Sequence, residues 1–267
     1  MRRYKFEKDF DTQLKRIVKT PAEIKLIKKS AAITSSCVKI IERGLKRKNV
    51  TEKQLAGMID KNIKRQKAGL AFPTIVTCGR RAVYIHAKPT NKRIQGLGYA
   101  DFGAKYKGYC TDMTVPFVKG DIGKDERQIL DATLSVYKRL VKSARAGSLC
   151  WKMQDEFEKL LAARSYKVRH SVGHGLGRDI HELPSLTKIR HRKTKDKRRQ
   201  RRLNAWKNRV WPGMKRLKFQ PGMVFTIEPG IYVRGIGGCR LENDFLMTKH
   251  GAKQLTHSKL LIIQQTV

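Results

Sequence analysis

The chain has 267 residues and a formal net charge of +38, from 60 Lys and Arg against 22 Asp and Glu. Its 40% hydrophobic content can form a core, which excludes a chain that is disordered throughout, and its length suits one large domain. No apolar run approaches the roughly 18 residues of a membrane span, and no apolar segment follows the basic N-terminus as a signal peptide requires.

The cysteines indicate a cellular compartment. They are five in number, scattered, and without a CxxC pair: Cys37, Cys78, Cys110, Cys150 and Cys239. An odd, dispersed set favours reduced thiols over a disulfide framework. We therefore expect a cytoplasmic protein.

Three helices are predicted in the first quarter of the chain. A short amphipathic helix falls within the lead-in segment 1–19, a second runs from Thr20 to near Gly44, and a third runs from Thr51 to Gly69. The second and third open with Thr-Pro-Ala-Glu and Thr-Glu-Lys-Gln. In such capping boxes the Thr and the third following residue satisfy each other's backbone N–H groups.

Strand-like segments follow, and then the order repeats. The first strands are predicted at 72–78, 82–85, 98–102 and 106–111. Two amphipathic helices come next, at 125–146 and 151–164, and further strands at 223–227, 230–233 and 240–248. Because two helices precede strands twice over, the sequence predicts an α+β fold built on a duplicated unit.

A basic insert at about 187–218 interrupts the second half. It contains 15 Lys and Arg and one acid, a net charge of +14. An apolar stripe of Leu203, Trp206 and Val210 predicts a helix in it, which Pro212 and Gly213 would end.

The insert has three interpretations: a solvated loop, a lid beside the site, or a surface for ribosomal or other RNA. Lys and Arg gain free energy on phosphates by releasing counterions, and tryptophan can stack on bases. The candidate nucleic-acid contacts are Arg198, Arg199, Arg201 and Arg202.

Four carboxylates and one imidazole outside the helices carry the chemistry: Asp101, Asp112, His174, Glu228 and Glu242. Across a hairpin, the first two can lie side by side on adjacent strands. Buried carboxylates need metal ions or basic partners, and a mostly oxygen set suits Mn²⁺, Fe²⁺, Co²⁺ or catalytic Zn²⁺. Four carboxylates that can bridge favour two ions over one. The alternative is a set of ordinary surface acids at strand ends.

Three stretches, 99–120, 173–184 and 225–242, resemble the dinuclear metallopeptidases of the pita-bread fold. This family includes methionine aminopeptidases, Xaa-Pro aminopeptidases and prolidases. The resemblance implies a catalytic domain over 20–267, with a pseudo-twofold duplication, preceded by the lead-in at 1–19 and interrupted by the insert. It also implies that the five residues above are the metal ligands.

The same resemblance implies roles for other residues. His86 would contact substrate and the leaving amine, and His181 would steady the tetrahedral intermediate. Glu228 would also transfer a proton, and Arg240 would orient a ligand carboxylate. The expected reaction is exopeptidase hydrolysis by hydroxide that two divalent ions (Mn, Co, Fe or Zn) activate.

The branch of the family has two readings. The sequence around Glu228 and Glu242 resembles prolidases and Xaa-Pro aminopeptidases, which favours Xaa-Pro substrates. The 19-residue lead-in resembles instead the layout of methionine aminopeptidases, and Val115 stands where the family commonly has Arg. The alternatives are a methionine aminopeptidase acting on nascent chains and a non-catalytic protein that binds ribosomes or RNA.

Overall fold

A computed structural model describes residues 10–187, 201 and 212–264. The named helices of this part are α1 (Phe10–Arg16), α2 (Pro21–Leu45), α3 (Glu52–Arg65), α4 (Lys124–Ser143) and α5 (Lys152–Ala162), with a 3-10 helix at Gly79–Val83. Its strands are β1 (Gly69–Leu70), β2 (Ile75–Cys78), β3 (Gly96–Phe102), β4 (Ala104–Tyr106), β5 (Tyr109–Cys110), β6 (Met113–Lys119), β7 (His174–Gly175), β8 (Glu182–Ser185), β9 (Val224–Ile227), β10 (Gly230–Val233), β11 (Gly237–Arg240), β12 (Asn243–Thr248), β13 (Gly251–Gln254) and β14 (Leu261–Ile263).

Both predicted capping boxes are confirmed. The Glu23 amide donates to Thr20 Oγ1 at 3.3 Å while the Thr20 amide donates to the Glu23 carboxylate at 2.9 Å. Thr51 and Gln54 make the same exchange at the start of α3. These contacts satisfy amides that the first helical turn leaves unpaired, so a local signal suffices to set each helix start.

Each helix pair covers one of two larger sheets. A four-stranded sheet, in the order β14-β6-β3-β2, shares a hydrophobic core with α2 and α3. A five-stranded antiparallel sheet, in the order β13-β12-β9-β7-β8, contributes to a second core with α4 and α5. The predicted α+β class and its two helix-helix-strands units are therefore present.

The two halves of the domain meet where a predicted strand is interrupted. The predicted strand 240–248 is in fact two strands, β11 and β12, and the residues between them turn toward the first half. There the Glu242 amide donates to the Thr114 carbonyl at 3.2 Å, which makes an isolated bridge onto β6. The uninterrupted strand prediction was wrong because Glu242 pairs across the domain rather than along its own sheet.

A further prediction needs correction. Residues 82–85 form the end of the 3-10 helix and a turn, and the Tyr99 hydroxyl lies 3.2–3.4 Å from the carbonyls of Ala82, Tyr84 and Ile85. A distant side chain thus holds a turn where the local pattern indicated a strand. Residues 212–216, which include Pro212 and Gly213, are helical. The predicted helix that these two residues would end is not part of the described structure. Leu203, Trp206 and Val210 lie outside the described residues.

The far end of the insert joins the body of the domain. The Cys150 amide donates to the Leu217 carbonyl and the Phe219 amide to the Ser148 carbonyl, both at 2.9 Å.

Among the described residues, no helix combines the length and the apolar character of a membrane span.

The β4–β5 hairpin depends on a glycine. A Cβ placed on Gly103 would overlap the Thr111 carbonyl oxygen, whereas one on Gly57, in α3, would meet nothing within 4 Å. Gly103→Ala should therefore lower the free energy of unfolding by about 1–3 kcal/mol, as overpacked sites do. The matched Gly57→Ala should raise it by about 0.5–1 kcal/mol, because alanine favours helices. Urea unfolding of both variants measures the contrast, and equal stabilities would contradict the close approach.

Candidate metal centre

Three buried side chains converge where the two halves meet. Asp112 precedes β6, His174 begins β7, and Glu242 lies between β11 and β12. Each offers a ligand atom, and these atoms all lie within 4.8 Å of one another. The residues are 62 to 130 positions apart in the chain, so only the packing of the two sheets brings them together.

The other two predicted ligands border this group. Glu228 follows β9, and its Oε1 lies 3.6 Å from His174 Nε2, which is 3.7 Å from Asp112 Oδ2. Asp101 lies in β3, directly opposite Thr114 of β6, and its Oδ2 accepts a hydrogen bond from Arg240. The structure therefore brings all five sequence-predicted residues into one cluster.

Burial and mutual repulsion dominate the electrostatics of the cluster. Burial, and then the charges of the neighbouring carboxylates, hold the pKa values of Asp112 and Glu228 well above their usual range. The same burial raises the pKa of Glu242 to about 8. It lowers the pKa of His174 to about 3, so its imidazole is neutral at physiological pH. A neutral imidazole keeps a lone pair for a metal ion.

The donor set fits divalent cations. Among the described residues, four carboxylate oxygens in and beside this cluster are buried without a hydrogen-bond partner: Asp101 Oδ1, Asp112 Oδ1, Glu242 Oε1 and Asp244 Oδ1. Burying such oxygens unpaired is costly, and cations among them would remove that cost. Oxygen ligands with one imidazole are the set expected for Mn²⁺, Fe²⁺, Co²⁺ or a catalytic Zn²⁺.

A buried arginine organises one side of the cluster. Arg240 donates from Nη2 to Asp101, from Nε to Thr114 Oγ1 at 3.1 Å, and from Nη1 to the Tyr232 hydroxyl at 2.7 Å. Thr114 Oγ1 in turn donates to Glu242 Oε2 at 2.7 Å. One guanidinium thus orients two carboxylates, the first directly and the second through a threonine.

Three residues of this site, His170, Tyr232 and Asp244, were not predicted from the sequence. His170 Nδ1 lies 3.6 Å from Glu228 Oε2, its Nε2 lies 3.0 Å from the Tyr232 hydroxyl, and Asp244 Oδ2 accepts from the Asp112 amide at 3.0 Å. Burial lowers the pKa of His170 to about 3. A signal existed for two of them, since His170 stands four residues before His174 and Asp244 two residues after Glu242.

His86 and His181 lie at the exposed edge of the site. The His181 ring centroid is 4.3 Å from that of His174, with the rings at 68°. Desolvation and the charge of Arg240 lower the pKa of His86, so its imidazole lies within electrostatic range of the buried cluster. Of the four arginines proposed to contact nucleic acid, only Arg201 lies among the described residues, and it is exposed.

The chain is similar to known peptidases. The sequence model of metallopeptidase family M24 matches residues 25–249. Xaa-Pro dipeptidases from Pyrococcus horikoshii and Pyrococcus furiosus are 32% and 31% identical, over 93% and 91% of this chain and 65% and 64% of the relatives. The chain therefore spans just under two thirds of the length of these relatives.

Solved structures agree with this similarity. The Pyrococcus horikoshii prolidase matches with a TM-score of 0.80 and 30% identity, over 93% of this chain and 65% of that one. An X-Pro aminopeptidase from Thermotoga maritima matches with a TM-score of 0.80 and 27% identity, over 96% and 67%. The expected pita-bread fold is confirmed by these matches.

The clustered carboxylates predict a pH dependence for the metal-free protein. Glu242 has a pKa of about 8 when folded and about 4.3 when unfolded. Between these values the folded chain holds a proton that the unfolded chain releases, so stability falls as pH rises, by up to about 1.4 kcal/mol per pH unit for each such proton. The unfolded histidines, with a pKa near 6.5, are still about one quarter protonated at pH 7 and add an opposing slope that becomes small by pH 8. This contribution is the same with and without the Glu242 carboxyl, so the comparison with a Glu242 variant isolates the carboxyl.

Urea unfolding of chelator-treated protein at pH 7.0, 7.5 and 8.0 measures this slope. Glu242→Gln removes the titrating group and should flatten the dependence. Equal slopes for the two proteins would contradict the raised pKa.

Proposed function

Because the chain belongs to metallopeptidase family M24, we propose that it is a metal-dependent exopeptidase that removes the N-terminal residue from peptides with proline in second position. One observation carries this proposal. Asp112, His174 and Glu242 converge within 4.8 Å beside buried oxygens that have no hydrogen-bond partner. Such a donor set binds divalent cations, which members of this family use.

The preference for Xaa-Pro over N-terminal methionine has two supports. Several relatives carry the name Xaa-Pro dipeptidase, from two Pyrococcus species and from Lactobacillus helveticus. The motifs around Glu228 and Glu242 point to the same branch. Methionine aminopeptidase activity is the alternative that the experiment below separates.

The five clustered residues would hold two divalent ions, and Mn, Co, Fe and Zn all suit their chemistry. When bound, such ions lower the pKa of water toward neutrality and polarise a carbonyl group. Asp101, Asp112, Glu228 and Glu242 would provide the oxygens and His174 the nitrogen. The five cysteines are free and buried, which agrees with the cytoplasmic location that we propose.

Glu228 is the best placed group for proton transfer. Its side chain is 14% exposed, more than that of Asp101, Asp112 or Glu242, so it borders the space where substrate would lie. Burial and the nearby Glu242 charge raise its pKa, which suits a carboxylate that accepts a proton from water and returns it to the leaving amine.

The two exposed histidines complete the proposed reaction. His181 would donate a hydrogen bond to the oxygen on which negative charge develops, and His86 would contact the substrate near the leaving amine. Both side chains can reach a peptide because they lie at the open edge of the cluster.

A peptide panel tests the function. The protein, supplied with Mn²⁺ or Co²⁺, should cleave Xaa-Pro peptides with a higher kcat/KM than peptides that begin Met-Ala. A higher kcat/KM for the Met-Ala peptides would indicate a methionine aminopeptidase instead. If no peptide is cleaved with any of the metals, the non-catalytic alternative would remain.

Variants connect the activity with the cluster. His174→Ala and Glu242→Ala should abolish turnover and reduce bound metal while leaving the fold intact, because loops and strand ends carry the ligands. His250→Ala is a matched control, since His250 is exposed in the turn that joins β12 and β13. Variants that retain full activity would contradict the ligand assignment.

A polyanionic partner is the second candidate function. Besides the insert, four basic residues and one acid, Asp60, line two adjoining surface depressions beside α3; the basic residues are Arg47, Lys61, Lys64 and Arg65. Within the described part of the chain, none of the four forms an ion pair with a carboxylate. Unpaired basic side chains around a concave surface suit the phosphates of RNA.

Salt dependence tests this partner. Binding to RNA should weaken as salt rises, with a slope of log K against log[salt] of about −0.7 to −0.9 per phosphate neutralised. Charge reversal of the four insert arginines (Arg198, Arg199, Arg201, Arg202) should flatten that slope. Hydrolysis of an uncharged tripeptide should stay unchanged.

The charge-matched control reverses Arg47, Lys61, Lys64 and Arg65. If only this second set flattens the slope, RNA binds beside α3 and the insert assignment is wrong. Lost hydrolysis with unchanged RNA affinity in the insert variant would make the insert a lid.

A further inference from the structure

The two exposed histidines lie on loops that buried carboxylates fasten. His86 follows the 3-10 helix and His181 immediately precedes β8, and both side chains are exposed. Each loop is tied to a glutamate with almost no exposed surface, Glu52 in the first half and Glu182 in the second. Neither glutamate belongs to the metal cluster.

Glu182 forms ion pairs with two basic side chains from the segment before α2. Its Oε2 accepts from Lys19 Nζ at 2.7 Å, and its Oε1 accepts from Arg16 Nη2. The Lys19 ammonium is also buried and donates to the Arg16 carbonyl at 2.6 Å. The Asp179 amide donates to Glu182 Oε1 at 3.1 Å, so the loop before His181 closes onto the same carboxylate.

The segment that supplies these cations is itself anchored. The Lys19 amide donates to the Gly222 carbonyl at 2.9 Å, and Val18 bridges Met223, which leads into β9. Space around the ion pair is tight, because a Cβ on Gly177 would come within 2.6 Å of Glu182 Oε2 and 2.9 Å of Lys19 Cε. The position of the His181 loop therefore depends on a fixed point more than 160 residues away in sequence.

Glu52 does the same for the loop that carries His86. Its Oε2 accepts from both the amide and the hydroxyl of Thr90, at 2.8 and 2.7 Å. Its Oε1 lies 3.5 Å from Arg81 Nε, and Arg81 Nη2 donates to the Lys88 carbonyl at 2.9 Å. One carboxylate thus ties both sides of the turn that presents His86.

We infer that Glu52 and Glu182 are positioning residues that hold His86 and His181 in place for the reaction. The inference rests on the proposed peptidase function. Exposed loops sample many conformations, and a displacement of about 1 Å at a reacting group can cost about 10²-fold in rate. Two buried carboxylates with several hydrogen bonds each restrict both loops before substrate arrives.

A double-mutant cycle separates positioning from general stability. Glu182→Gln should lower kcat by about 10- to 100-fold with little change in bound metal, because the five clustered residues are untouched. In a His181→Ala background the same substitution should cost much less, since its effect acts through His181. Glu52→Gln should behave in the same way with His86→Ala.

A role in stability alone predicts a different result. Each glutamine substitution would then reduce kcat equally in the presence and absence of its histidine, and that outcome would overturn the inference. Lys119→Met is the matched control. Lys119 is buried and binds the Arg47 carbonyl at 2.6 Å, but it lies six residues along β6 from Met113, about 20 Å from the cluster. It should lower Tm and leave kcat unchanged.

Hydrogen exchange provides a readout that does not require peptidase activity. In Lys19→Met/Glu182→Gln, which removes both buried charges together, the amides of 178–183 should exchange at least 10-fold faster than in the wild type. Unchanged exchange would overturn the inference even if the enzyme is active. Faster exchange in a protein that cleaves no peptide would show that Lys19 and Glu182 hold the His181 loop, and it would reject only the proposed function.

Discussion

The burial of several carboxylates in one cluster is the constraint on which the rest of the structure depends. Like charges in a medium of low dielectric repel strongly, and desolvation adds to the cost. Arg240 provides the buried positive charge that bonds Asp101. Four carboxylate oxygens in and beside the cluster are still buried without a hydrogen-bond partner, so protons or bound cations are needed to offset the cost of their burial.

The fold meets this constraint by dividing the site between its two halves. The first half contributes Asp101, from β3, and Asp112, which directly precedes the paired strand β6, and the second contributes His174, Glu228 and Glu242. The bridge between Thr114 and Glu242 joins the two sets. Since each half supplies only part of the donor set, neither half alone could bind the proposed pair of ions.

The candidate ligands and the two exposed histidines are held in place by different contacts. The candidate ligands lie on strands or at strand ends, where backbone hydrogen bonds hold them. His86 and His181 are exposed, as contact with a substrate would require. Their loops are fastened from beneath by Glu52 and Glu182, whose bonds lie away from the solvent. Buried ion pairs often add little net stability, so the role that we propose for these contacts is to hold one arrangement of the loops.

The sequence alone determined features whose causes are local or repeated. The capping boxes at Thr20 and Thr51 were predictable because each is complete within four residues. The five candidate ligands were found because each stands in a short motif of its own, and the structure brings them together. Their roles as ligands remain a proposal, as do those of His86 and His181.

Only the tertiary structure decided which distant segments meet. The predicted strand 240–248 is interrupted at Glu242, which pairs with Thr114 of the other half. Residues 82–85 include a turn that the Tyr99 hydroxyl contacts. The tertiary structure also placed His170 beside Glu228, and Lys19 against Glu182 across 163 positions. The physical reason is the range of the interactions. Capping and periodicity act within a few residues, whereas buried ion pairs and cross-sheet contacts exist only after the two halves pack.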